Sequence, residues 1–149
     1  MIQRAIKKTL QGRIPDLEWT VDYRTAQSEF GVVYYEGGYP PDRSDMKSHL
    51  MNYQVEIRSQ SFDKAANRAF DTYKAIHGIE NRVMEVPILE DGRLIRTDKH
   101  FIQYIYAESP PIRVGVENDI MILHNKFFST YFALLRISAF LIPKFKEEL

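Results

Sequence analysis

The chain has 149 residues, 44% hydrophobic and 27% charged, which suits one globular domain around a single core. Its 20 Lys and Arg balance 20 Asp and Glu, a formal net charge of +0, so no chain-wide basic field is available to grip nucleic acid. Cysteine is absent, which excludes disulfides, thiolate metal sites and a cysteine nucleophile.

The N-terminus, MIQRAIKKTLQGR, is too charged for a secretory leader. Ile2, Ala5, Ile6, Thr9 and Leu10 instead make one face of a short helix over 2–11, ended by Gly12 and Pro15. A soluble, intracellular chain is the expectation. LEWTVDYR follows with period two, Leu17, Trp19, Val21 and Tyr23 on one side and Glu18, Thr20, Asp22 and Arg24 on the other, a half-buried strand. GVVYYEGG gives a second strand, and GGYPPDRSD is a loop by its turn chemistry. MNYQVEIRS is the clearest strand, with Met51, Tyr53, Val55 and Ile57 inward and Asn52, Gln54, Glu56 and Arg58 outward.

A longer helix starts at Ser61, a natural N-cap, with Asp63 in the first turn. Phe62, Ala65, Ala66, Ala69, Phe70, Tyr73 and Ile76 form one apolar stripe, and the three alanines allow close approach to a sheet. Gly78 is the expected stop. VPILEDGRLIR reads as a hairpin or tight turn at Asp91-Gly92. HFIQYIYAE is a strand apolar on both faces, hence central or covered. PPIRVGVEND is a connection, and IMILHNKFFSTYF a last strand. The order α-β-β-β-α-β-β predicts an α+β domain, an antiparallel sheet of about five strands with two helices packed on one face.

Catalytic signatures are missing: no G-x-S-x-G, Walker A, H-E-x-x-H or dinucleotide-binding glycine pattern occurs. His49, His77, His100 and His124 are scattered; only His100 and His124 could meet on adjacent strands, and a metal would need further ligands. Glu90-Asp91 is explained by a solvated turn, and Gly37-Gly38 leads into Tyr39-Pro40-Pro41 rather than a helix N-terminus that could hold a phosphate. Arg4, Lys7, Lys8 and Arg13 cluster locally, as the wet face of the first helix. The stretch FFSTYFALLRISAFLI, 127–142, is strongly apolar, but it is shorter than the roughly 20 residues a bilayer requires and contains Arg136. No enzyme, cofactor, metal or membrane role is expected.

Taken in order, several segments resemble the tail terminator and minor capsid (head–tail joining) proteins of long-tailed bacteriophages. They are Pro15-Asp16-Leu17 before the first strand, VVYYEGG at 32–38, the strand ending in Ile57-Arg58, and the alanine-rich helix at 63–76. The last is SPPIRVGVENDIMILHNKFFSTYF at 109–132, with Pro111, Gly115, Glu117 and Asn118 in a turn and Asn125 before Phe127. Val116-Glu117-Asn118 replaces the family's acidic dipeptide, and Ala133 to Leu149 falls outside its pattern. The resemblance covers about 2–132.

It implies a non-enzymatic virion protein that forms a ring, commonly a hexamer, on the last ring of tail-tube subunits. The ring ends tube polymerisation and meets the head–tail connector or stopper protein, with DNA passing through its lumen unread. The implied location is the head-proximal end of the tail, with assembly in the host cytoplasm. On this reading 1–132 form the domain and 133–149 an interface-forming extension. The candidate contact residues are Tyr39, Pro40 and Pro41 in the loop, Asp91 and Gly92 in the turn, and Phe140, Leu141 and Ile142 in the extension. A small α+β protein-binding module, or a head-completion protein without a capping role, accounts for the same elements.

Overall fold

A computed structural model describes residues 2–23, 28–38, 49–117 and 120–133. The described residues carry two helices, α1 (Gln3–Arg13) and α2 (Phe62–Ile76), and seven strands. These are β1 (Glu18–Val21), β2 (Phe30–Gly38), β3 (His49–Ser59), β4 (Ile79–Glu90), β5 (Arg93–Ala107), β6 (Ile112–Glu117) and β7 (Ile120–Ala133). They form one mostly antiparallel sheet in the order β1-β2-β3-β7-β5-β4, with β6 also paired to β7. The α+β class is as expected, but the strands number seven rather than about five. Two corrections account for the difference. The hairpin alternative at Asp91-Gly92 holds and residues 79–90 form a full strand that was not counted, while 112–117, expected as a connection, pair with β7. A third concerns direction: β1 runs parallel to β2.

Both helices lie on one face. Ile2 at the N-cap, Ile6 and Leu10 of α1, and Ala65, Ala69 and Ile76 of α2 join Val33, Tyr53, Val55, Ile57, Ile102, Leu123 and Phe127 in a single core. Helix α1 packs against β1 and β2 at one side of the sheet and also against β4 at the other, so the sheet curls around it.

Local chemistry explains the ends of the elements. Asp22 turns the chain out of β1 at φ 61, a conformation Asp tolerates, and its carboxylate accepts from Tyr35 N–H at 3.0 Å and Gln3 Nε2 at 3.2 Å. The first strand therefore ends before Tyr23, which is exposed. Ser61 caps α2 by accepting from Lys64 N–H at 3.3 Å, and Gly78 follows the helix at φ 85. Asp91 and Gly92, at φ 50 and 75, make the left-handed pair that a two-residue hairpin needs.

The stripe on α2 is wider than its contact with the sheet. Ala65, Ala69, Thr72 and Ile76 are fully buried, whereas Phe62 and Phe70, expected in the core, are 51% and 48% exposed. Ala66 lies at the margin between them.

Candidate assembly surfaces

Two apolar surfaces on the described residues are left open to solvent. The first joins the flank of α2 to β6. Phe62 and Phe70 stand two turns apart on the helix, and the Arg113 guanidinium lies over the Phe62 ring at 5.3 Å. Arg113 pairs with Leu123 and Val116 with Met121, both core residues, so Arg113 and Val116 rise on the face that carries α2. A bulge at Val114-Gly115 interrupts this edge strand, and Ile112, Val114 and Val116 are all exposed. The second surface is the end of the β4–β5 hairpin. The described part of β7 reaches only to the level of His100, so residues 93–99 of β5 pair with β4 alone among the described residues. This two-stranded arm exposes Leu94 and Ile95 beside its Asp91-Gly92 tip.

A polar ladder on the sheet face opposite the helices holds the β6–β7 hairpin in place. Glu56 on β3 is 1% exposed and receives Arg58 Nε at 3.3 Å and His124 Nε2 of β7 at 3.1 Å. Arg58 also reaches Glu117 at the end of β6, 3.3 Å away, and lies over the Phe30 ring. Three strands are thereby tied across β7. The alternation of β3 had placed Glu56 and Arg58 in solvent; the structure buries both. His100 and His124 do not meet, because His100 lies opposite Ala133, well along β7 from His124, which lies opposite Glu56.

Two of the residues that carry the sequence resemblance, Asp16 and Asn125, tie α2 to the rest of the domain. Asp16 accepts from Arg68 of α2 at 2.9 Å and lies 4.0 Å from Lys64. Hydrogen bonding from Arg68 holds its carboxyl below the usual carboxylate range. Asn125, fully buried, donates to the Ala69 carbonyl of α2 at 3.2 Å. Glu29 accepts from Ser59 Oγ at 2.7 Å and Gln60 N–H at 3.0 Å, and pairs with Lys64 at 3.2 Å, fixing the entry to α2. Burial pushes Glu29 upward, but these donors outweigh it and hold it low.

Comparison with solved structures then bears on this architecture. A chain in the structure of the virion of a native gene transfer agent particle superposes with a TM-score of 0.54 at 12% sequence identity. The match covers 88% of this chain and 94% of that one. The fold is shared. No protein-family profile matches the sequence, and no curated protein is similar to it.

Of the contact residues expected from sequence, Asp91 and Gly92 are at the exposed tip of the arm. Tyr39, Pro40, Pro41, Phe140, Leu141 and Ile142 lie outside the described residues, as does nearly all of 133–149. Sequence reasoning missed Phe62, Phe70 and Val116 as surface residues, because a helical or strand period marks an apolar face without saying what covers it. No helix among the described residues is long and apolar enough to cross a membrane, and no group of three or more His, Asp or Glu there could hold a metal ion.

Proposed function

We propose that the chain is a non-enzymatic structural protein of a phage-like particle, forming a ring that caps the tail tube, ends its polymerisation and joins the tail to the head connector. The observation that carries this reading is the likeness to a virion chain, which takes in nearly the whole of both molecules rather than a shared fragment. The sequence resemblance to tail terminator and head–tail joining proteins favours a position at the head-proximal end of the tail. The open apolar surfaces support it as well. A monomer gains nothing from half-exposed Phe62 and Phe70 or from a β6 strand that pairs only with β7 among the described residues, whereas a ring buries such surfaces between subunits. Neutral net charge suits protein partners, with DNA passing through the lumen unread.

The test is genetic. Disrupting the gene in a particle-producing host should leave filled heads and separate tails of abnormal length, restored to joined particles by the gene supplied in trans. Normal joined particles without the protein would overturn the proposal.

A further inference from the structure

Helix α1 turns opposite faces to the core and to solvent. Ala5, Ile6 and Leu10 are buried. On the far side Arg4, Lys7, Lys8 and Gln11 recur at i, i+3, i+4 and i+7, one row along the axis, with Lys7 half-buried and the other three exposed. No acidic residue precedes Asp16 in the chain. Among the described residues none of the three cations of the row forms an ion pair. The carboxylates located beside α1 are already engaged, Asp16 by Arg68 and Asp22 by Gln3 Nε2 and the Tyr35 N–H. Arg13 lies roughly 14 Å from Arg4 along the helix axis. It lines a groove there with Asp16 and Asp71, so it belongs to a mixed surface and not to the row.

The row works against the stability of its own helix. Arg4 stands in the first turn, where the helix dipole favours an acid; that turn has none, and Ile2 offers no capping side chain. Lys7 and Lys8, at i+3 and i+4 from Arg4, add repulsion between like charges. Helix α1 is held by its core face alone, and an anion laid along the row relieves the repulsion. An ordinary wet face looks different. Helix α2 opens on Ser61 and Asp63 and sets Asp63 and Asp71 among Lys64, Arg68 and Lys74. The composition of the row also selects the anion. Centres of protein–protein contacts are poor in Lys and built on apolar or aromatic anchors. None of the exposed large apolar side chains of the described residues is on α1. A phosphate backbone needs no such anchor, and Arg, Lys and Gln are among the side chains that meet it.

We propose that the exposed face of α1 is the surface through which this chain meets the phosphate backbone of double-stranded DNA, Arg4, Lys7 and Lys8 each facing a phosphate and Gln11 donating a hydrogen bond beside them. The contact reads no base sequence. It rests on the particle reading for the presence of DNA beside the chain, whereas the binding itself is measured apart from any particle.

Full-length protein is titrated against a labelled duplex of mixed sequence by fluorescence anisotropy at several salt concentrations. Three phosphate contacts give a log–log salt slope of about −2.7 per bound copy, which is about a fortyfold loss of affinity between roughly 50 and 200 mM salt. Arg4→Gln, Lys7→Gln and Lys8→Gln together should remove the binding. Lys7→Gln alone should weaken it severalfold and flatten the slope by about 0.9. Lys74→Gln, at an exposed position on α2, should change neither. Glutamine suits a helix about as well as Lys or Arg, and emission from Trp19 checks that each variant is folded. A parent protein that does not bind the duplex at roughly 50 mM salt, where such contacts are strong, would overturn the proposal. Equal losses from Lys74→Gln and from the row variants would do the same. Polyglutamate that displaces the duplex charge for charge would assign the row to an acidic protein surface and overturn the DNA contact. Loss of multimer mass in the triple variant would make the row a subunit contact, again against the proposal. DNA binding through the row by a protein that forms no ring in the particle would support the contact and overturn the ring.

Discussion

Replacing Gly31 by alanine tests the packing of the β1–β2 layer at one atom. Trp19 stands opposite Gly31 in the parallel register and is 4% exposed. A Cβ built on Gly31 falls within the Trp19 ring, 2.6 Å from Cε3 and 2.7 Å from Cη2, where ordinary contacts begin near 3.4 Å. The ring cannot slide away freely, since its Nε1 donates to the Ile14 carbonyl at 2.9 Å and ties β1 to the end of α1. Two responses are open to the protein. Overpacking in place costs about 1–3 kcal/mol. Swinging the indole outward loses a hydrogen bond, about 0.5–1.5 kcal/mol, together with part of the burial of a large aromatic. Either route costs about 2 kcal/mol, a drop of about 1 M in the urea midpoint at a typical slope. The single tryptophan is its own fluorescent reporter. Gly12→Ala is the control: it lies inside α1 with nothing within 4 Å of the added Cβ, and should gain about 0.5–1 kcal/mol. If Gly31→Ala is as stable as the parent, the indole does not pack on that glycine and the placement of β1 is wrong.

The ion ladder and the helix give further expectations. Arg58→Met removes the cation from buried Glu56 and should lower stability by about 3 kcal/mol in chemical denaturation; a loss under 1 kcal/mol would mean that Glu56 is not buried as a charge. Ala69→Leu should cost about 1–3 kcal/mol while Ala66→Leu, at the rim of the contact, is milder; the reverse order would rotate α2 about its axis. Asp16 has a depressed pKa in the folded protein, so its contribution is present above the unfolded-state value and disappears as pH falls through the lower folded one. Arg68→Ala should raise the Asp16 pKa, read by carboxyl NMR titration, and cost less than about 1 kcal/mol at neutral pH because the pair is largely exposed. An unmoved titration would show that the pair does not persist in solution.

What could be read from the sequence follows how local the signals are. α2 was legible because Ser61 and Gly78 mark its ends within a few residues, and β3 because its period of two is unbroken. β4 was obscured by a left-handed Asn81 and by Pro87, both of which spoil the alternation. β6 follows a Pro-Pro pair and carries a bulge at Gly115, so its six residues resemble a connection. The burial of Glu56 was invisible for another reason. Its partner His124 is 68 residues away, and alternation assigns any polar residue to solvent. The stripe of α2 was read correctly as apolar and incorrectly as wholly buried, since the period fixes direction but not the width of the surface it meets. The turn of the β4–β5 hairpin was legible because Asp91 and Gly92 both accept the left-handed conformation it requires.

The place of this chain in a particle is tested most directly by a cryo-electron microscopy map of the intact particle at the junction of head and tail. The expected map shows a closed ring of this subunit between the last tube ring and the head connector. A map in which the chain is absent from that junction, or present only as separate copies, would contradict that placement.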